Sequence, residues 1–281
     1  MEKVLITGAN GYIGSHVIDE LIKMNKDVIA LDFNNTRIKP SVNFLNIDIL
    51  NEAQNIKLYE KLDKPDNVIH LAWQDGFNHY AHSHINNMIK HFYFIQNMID
   101  SGVKSITIMG TVHEIGYHEG KVTEYTPCNP LSYYGIAKNT LRQLVLAYAK
   151  DKDVSIKWLR AYYITGDDKN NHSIFTKLLE AASQNKTEFP FTKGTNQFDF
   201  IDVNDLAKMI ASASVQNNVE GIINVCSGEP ISIKDKVETF IKEHNLNIKL
   251  QYGAFPSRKY DSPVIYGDNR KIKNIMEDFN A

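Results

Sequence analysis

Apolar residues recur along this chain in two alternating periods. Short apolar runs, Val4–Ile6, Val28–Leu31, Val42–Ile47, Val68–Leu71, Lys104–Met109 and Ser155–Leu159, have the length of buried strands. Between them, Tyr12, Ile13, Val17, Ile18, Leu21 and Ile22 recur at helical spacing, as do the apolar positions of Glu52–Leu62, Ile85–Ser101 and Leu131–Lys150. Strand and helix in strict turn predict an α/β fold, a doubly wound parallel sheet of Rossmann type covered on both faces. After Gly166 the alternation fades. Asp205–Val215 reads as a helix and Gly221–Val225 as a strand returning to the main sheet. The expected organisation is a main domain of residues 1–165 plus 199–227. A smaller discontinuous lobe of 166–198 plus 228–281 would stand over the carboxyl edge of the sheet, where open α/β sheets take ligands.

The first strand ends in Thr7-Gly8-Ala9-Asn10-Gly11-Tyr12-Ile13-Gly14. Gly8 permits the sharp turn, Gly11 leaves no side chain between backbone and a pyrophosphate, and Gly14 lets the helix pack on the strand. The helix start then supplies free N–H groups to phosphate. The next strand ends in Asp32, about 20 residues on, where an acid bonds ribose hydroxyls. The expected ligand is a dinucleotide. Asp32 favours NAD over NADP, because a 2′-phosphate would meet a carboxylate, although Arg37 stands close enough to soften that preference.

Composition narrows the remaining classes. The 281 residues carry a formal charge of −2, which leaves no nucleic-acid footprint. No apolar stretch has membrane-spanning length. Cys128 and Cys226 stand far apart in no CxxC, which fits reduced thiols and a cytoplasmic protein. His79, His82 and His84 cluster in one loop, but no cysteine or carboxylate completes a ligand set, so no metal is expected.

Tyr134 and Lys138, spaced i, i+4 in Tyr134-Gly135-Ile136-Ala137-Lys138, face one side of a helix. A nearby ammonium and a bound nicotinamide cation would favour the phenolate and lower the tyrosine towards neutral pH. With the glycine motif upstream, this pair resembles the catalytic Tyr and Lys of extended short-chain dehydrogenases/reductases, in the NAD-dependent epimerase/dehydratase family acting on nucleotide sugars. The resemblance runs nearly the whole length. It implies that Gly8, Asn10, Gly11, Tyr12, Ile13, Gly14, Asp32, Asp48, Ile49, Leu71 and Ala72 contact the cofactor, together with Tyr134 and Lys138. Thr111 matches the catalytic Ser/Thr that bonds the substrate oxygen. Tyr163, Phe198 and Arg258 fall where relatives touch the nucleotide sugar, with Arg258 facing the diphosphate and Phe198 replacing a usual arginine. The resemblance further implies a homodimer through a four-helix interface that includes the Tyr-bearing helix.

Family dehydratases carry an Asp-Glu pair after the catalytic Thr. Val112 and His113 stand there instead, and Glu114, one step on, would point elsewhere, which argues against dehydration. In GDP-fucose synthases a Cys two residues after the catalytic Ser and a later His work at C3 and C5. His113 occupies the first position and His172 lies near the second. Taken singly, each histidine reads rather as a pocket-lining or surface residue; it is the pair that keeps an epimerase/reductase in view. The expected activity is NAD(P)H-dependent reduction of a 4-keto-6-deoxy nucleotide sugar. A 3,5-epimerase/4-reductase or a 4-epimerase stands second, and a non-catalytic NAD(P) sensor third.

Overall fold

The computed structural model describes residues 2–166, 171, 173–256 and 261–280. The elements run β1 (Lys3–Thr7), α1 (Gly14–Lys23), β2 (Asp27–Leu31), β3 (Asn43–Leu45), α2 (Leu58–Lys61), β4 (Asn67–His70), α3 (Ser83–Asp100) and β5 (Ser105–Thr111). They continue β6 (Gly120–Val122), α4 (Tyr133–Ala149), β7 (Ser155–Ala161), β8 (Tyr163–Thr165), α5 (Ile174–Ser183), β9 (Glu188–Pro190), β10 (Gln197–Asp202) and α6 (Val203–Val215). The chain ends with β11 (Gly221–Val225), β12 (Pro230–Ser232), α7 (Ile233–Glu243), β13 (Lys249–Gln251), β14 (Val264–Gly267) and α8 (Arg270–Asn280).

Seven parallel strands form the main sheet in the order β11-β7-β5-β4-β1-β2-β3. The expected Rossmann-type doubly wound sheet is therefore present. Its strand order reverses between β1 and β4, which opens a crevice at their carboxyl ends. Val17, Ile18 and Leu21 of α1 and Leu206 and Ile210 of α6 pack one face. Phe94 and Met98 of α3 and Leu141 and Val145 of α4 pack the other. The strands are apolar throughout because both faces are covered.

Two departures from the sequence pattern concern the second half of the chain. β10, expected to return to the main sheet, instead joins β12, β14, β6 and β8 in a second sheet. Chain order sets its place: β6, β8 and β12 each follow the carboxyl end of a main strand, β5, β7 and β11. Ile272 and Ile275 of α8, assigned by sequence to the lobe, instead pack into the main core beside α6. The lobe's own core gathers Phe175 and Leu178 of α5, Phe191, Val237 and Phe240 of α7, and Ile248. A third departure is local. Glu52–Leu62 is helical only over Leu58–Lys61, because Asn55 Oδ1 accepts the Lys57 N–H and ties the chain in a turn first.

Candidate active site

At the β1–α1 turn, Gly8 has φ +69°, and a Cβ there would stand 2.8 Å from the Ala72 backbone. A Cβ on Gly14 would stand 2.2 Å from the Gly8 carbonyl, so this turn closes only with glycine. Among the described residues no side chain caps α1, and its first turn holds no acid. The amide groups there remain suited to an anion. The Asp32 carboxylate sits over the same turn, accepting the Asn10 N–H at 2.9 Å and the Phe33 N–H at 2.7 Å. Asn10 Oδ1 in turn accepts the Arg37 N–H, and Tyr12 donates its phenol to the Gly166 carbonyl at 2.5 Å. Asp48 spends its carboxylate on its own turn, accepting from the Leu50 and Asn51 amides, while Ile49 is buried beside it. Leu71 and Ala72 follow β4, where the Leu71 N–H donates to the Thr7 carbonyl. These residues fit a dinucleotide laid across the crevice.

The proposed reacting side chains converge one strand away. Thr111 ends β5; its hydroxyl shares a hydrogen bond with Tyr134 and accepts the His113 N–H at 3.3 Å. A one-turn 3-10 helix, Val112–Glu114, follows it. Tyr134 opens α4 beside this turn, because Gly135 lets the helix approach the His113 carbonyl, which a Cβ would meet at 2.3 Å. Lys138, one turn on, is buried. It donates to the Met109 carbonyl at 2.7 Å and stands 3.8 Å above the Trp73 ring. His113 lies 6.0 Å from the Tyr134 ring, centroid to centroid.

Sequence reasoning expected Lys138 to draw the Tyr134 phenol down. Among the protein's own groups, burial decides instead. Burial pushes Tyr134 up to about 12, opposed by the Thr111 hydrogen bond and assisted by the Glu114 charge. Burial likewise pulls Lys138 down to about 7, opposed by Glu114. Both groups are thus held towards their neutral forms, a phenol able to donate and an amine.

Three histidines and a tryptophan back this site, a cluster that the sequence alone did not bring together. His70 is buried at the end of β4, with Nδ1 2.8 Å from the Thr7 hydroxyl and Nε2 2.9 Å from His91 Nδ1. Trp73 stacks on His91 with centroids 4.5 Å apart and donates its indole N–H to His84 Nδ1 at 3.0 Å. His84 therefore carries its proton on Nε2, which donates to the Asn78 carbonyl at 2.8 Å. The signal was available: His84 and His91 stand seven residues apart on the apolar face of α3. His84 is thus turned inward, and among the described residues no group of three or more His, Cys, Asp or Glu is placed to hold a metal.

An open cleft lies beside Tyr134, lined by His79, His113, Tyr163, Asp261 and Ser262 among others. His79 stacks on the Tyr134 ring, centroids 5.1 Å apart, and meets the His113 ring edge-on at 4.3 Å. Tyr163 forms a wall of this cleft. Phe198 does not: it is 6 % exposed and lies stacked behind Tyr163 at 4.2 Å, supporting that ring from the core. His172 and Arg258 lie outside the described residues.

Glu114 turns away from the cleft, as the dehydratase comparison expected. Its carboxylate is buried beneath the Thr111 turn among Trp158, Arg142 and Arg160. No helix among the described residues is long and apolar enough to cross a membrane.

Comparison with known proteins gives a consistent picture. A family model described as "NAD dependent epimerase/dehydratase family" matches residues 4–226. The dTDP-6-deoxy-L-talose 4-dehydrogenase (NAD(+)) of Aggregatibacter actinomycetemcomitans is 43% identical over 268 residues, covering 94% of this chain and 98% of that protein. Among solved structures, the UDP-glucose 4-epimerase of Thermotoga maritima with UDP-glucose superposes with a TM-score of 0.83 at 22% identity, covering 97% of this chain and 91% of that one. The Thermus thermophilus UDP-glucose 4-epimerase with NAD gives 0.83 at 19% identity, covering 97% and 92%. At these identities the two structures speak for the fold.

Proposed function

Because the chain belongs to the NAD-dependent epimerase/dehydratase family, we propose that it is an NAD-dependent oxidoreductase at C4 of a nucleotide-activated 6-deoxy sugar, working as a 4-ketoreductase. The relative named as a dTDP-6-deoxy-L-talose 4-dehydrogenase supports the position and the sugar class, since the same chemistry runs either way. The observation that carries the C4 chemistry is the convergence of Tyr134, Thr111 and Lys138 at the end of β5, where a phenol can give its proton to an oxygen beside the Thr111 hydroxyl; reduction is the direction we propose for it. A ketone becoming an alkoxide needs a proton donor at that point.

When bound, reduced NAD supplies hydride to the ketone carbon. The β1–α1 glycines would seat its pyrophosphate and Asp32 its adenosine ribose. Lys138 would hold the second ribose. Thr111 would orient the C4 oxygen, and Tyr134 would give that oxygen its proton. Tyr163 and the Asp261–Ser262 segment would wall the sugar from above. His113 faces the same cleft and supports the second reading, proton exchange at C3 or C5 beside the reduced carbon. The assembled Thr–Tyr–Lys set speaks against a sensor, which has no need of a proton donor. The exposed Ile85 and Ile89 of α3 and Tyr133 and Ile136 of α4 support the homodimer, since apolar side chains gathered on two packed helices suit burial against a second copy.

The test is NADH oxidation against a panel of 4-keto-6-deoxy nucleotide sugars, with products examined by NMR in deuterated water. Turnover without ring deuterium is expected. Deuterium at C3 or C5 would move the assignment to an epimerase/reductase. Tyr134→Phe is expected to cost about 10²-fold or more in kcat while NADH still binds. Full activity in that variant would sink the assignment.

A further inference from the structure

Glu114 takes no part in the chemistry proposed above, yet the site is built on it. The side chain is fully buried. Its Oε1 accepts the Thr111 N–H at 2.7 Å, and both oxygens accept the Trp158 indole N–H, at 3.0 and 3.1 Å. Arg142 Nε and Arg160 Nη2 each lie 3.6 Å from its Oε2. Arg160 is itself fully buried, and its remaining contacts are the Thr123 carbonyl and the Cys128 sulfur. Burial raises the proton affinity of Glu114 and the guanidiniums oppose it. Every group directed at its oxygens is a donor, so a proton there would have no acceptor, and the residue is a carboxylate.

Local sequence makes room for this arrangement. A Cβ on Gly110 would stand 2.1 Å from Trp158 Nε1 and 2.7 Å from Glu114 Oε1. Only glycine at that point of β5 lets the indole reach the carboxylate. The Thr111 hydroxyl and Glu114 then close a reciprocal capping box around Val112–Glu114. Thr111 and His113, two groups that face the substrate in the proposed reaction, both hang on this one turn.

We infer that Glu114 is a positioning residue: it locks the Thr111–His113 turn against Tyr134 and stands beneath the reacting groups as a fixed negative charge. The inference rests on the roles proposed for Thr111, Tyr134 and Lys138. Two effects follow, one of reach and one of charge. The reach holds the Thr111 hydroxyl where a carbonyl oxygen must sit. The charge raises the proton affinity of both Tyr134 and Lys138. Other groups facing Lys138 are the Met109 carbonyl from β5, the Trp73 ring, His70 from β4 and His91 from α3; burial holds both histidines neutral. Tyr134 is faced by Thr111 and His113 from the turn, by His79 and by His84. Glu114 is the carboxylate that acts on either of them.

Two variants separate the effects. Glu114→Gln keeps an oxygen for the Thr111 N–H but removes the charge. Glu114→Asp keeps the charge but withdraws it by one methylene. The first readout needs neither substrate nor turnover: the 13Cε resonance of Lys138, assigned with Lys138→Met, followed through a pH titration. In the parent protein its midpoint is expected near about 7. In E114Q it should fall by roughly half a unit or more, and in E114D it should hold. The second readout is kinetic. E114D is expected to lose about 10-fold or more in kcat with the KM for NADH within about twofold, because a displaced hydroxyl spoils the reacting geometry, not cofactor binding. An unmoved Lys138 midpoint in folded E114Q overturns the charge effect, and wild-type kcat in E114D overturns the positioning effect. Should E114Q fail to fold, E114D decides alone. Failure of the functional proposal itself would look different: the parent protein would turn over no nucleotide sugar while the lysine titration still moved as described.

Discussion

The residues proposed to react stand out in the sequence where chemistry constrains type and spacing together. Tyr134 and Lys138 announce themselves by their i, i+4 spacing, and Thr111 by its place after a buried run. What surrounds them does not, because Trp73, the α3 pair His84 and His91, and Glu114 come from three separate segments that only the fold brings together. His70, which stands behind the same site, has a measurable consequence. His70 is fully enclosed, and burial, reinforced by the Lys138 charge, holds its pKa down to about 3. In the unfolded chain an imidazole titrates near about 6.5. Between these values the unfolded state binds a proton that the folded state refuses, so stability falls as pH falls below about 6.5, by about 1.4 kcal/mol per pH unit. Urea unfolding should therefore show the parent protein losing up to about 2 kcal/mol more than His70→Gln between about pH 7 and pH 5. Parallel pH–stability curves for the two proteins would remove His70 from the account.

At the level of elements, the long strands and helices followed their periodicity, and the failures were short. α2 shrank to one turn because Asn55 bonds the backbone locally, a competition that apolar spacing does not register. The position of α4 depends on a feature that spacing cannot show at all: Gly135 is needed by the His113 carbonyl, not by its own helix. This sets two effects against each other in Gly135→Ala. Helix propensity alone would stabilise the variant by about 1 kcal/mol. A Cβ at 2.3 Å from a backbone oxygen cannot be accommodated without a shift of the helix, and such overpacking costs about 1–3 kcal/mol. The net expectation is a lower Tm. Because the shift carries Tyr134 away from Thr111, kcat should fall by about 10-fold or more, with NADH affinity little changed. A variant that is more stable and fully active would show that the helix and the turn do not depend on this contact.

Across the whole molecule, the sequence conveyed the alternating architecture but misplaced how its halves join. β10 and α8 carry ordinary amphipathic patterns, and nothing local tells which core an apolar face will meet. One buried residue at the join stands out. Asp199 on β10 is fully buried, and its carboxylate accepts four bonds: the Ser227 amide at 2.9 Å and hydroxyl at 2.6 Å, the Gly228 amide at 2.9 Å and the Gly267 amide at 3.0 Å. It thereby ties the second sheet to the segment leaving β11 on the main sheet. Asp199→Asn would turn an amide N–H₂ towards donors on at least one side, leaving buried amides unpaired at a cost of about 3 kcal/mol or more. The cleft residues Tyr163 and Ile265 sit on this second sheet, next to Asp261 and Ser262, whereas the glycine turn and Asp32 sit on β1 and β2 of the main sheet. A loosened join should therefore reach the two ligands unequally. In D199N the KM for the nucleotide sugar should rise well beyond any change in NADH affinity, alongside a lower urea midpoint. Equal weakening of both ligands would mean that the second sheet and the cofactor crevice respond as one rigid unit, and that Asp199 serves stability alone.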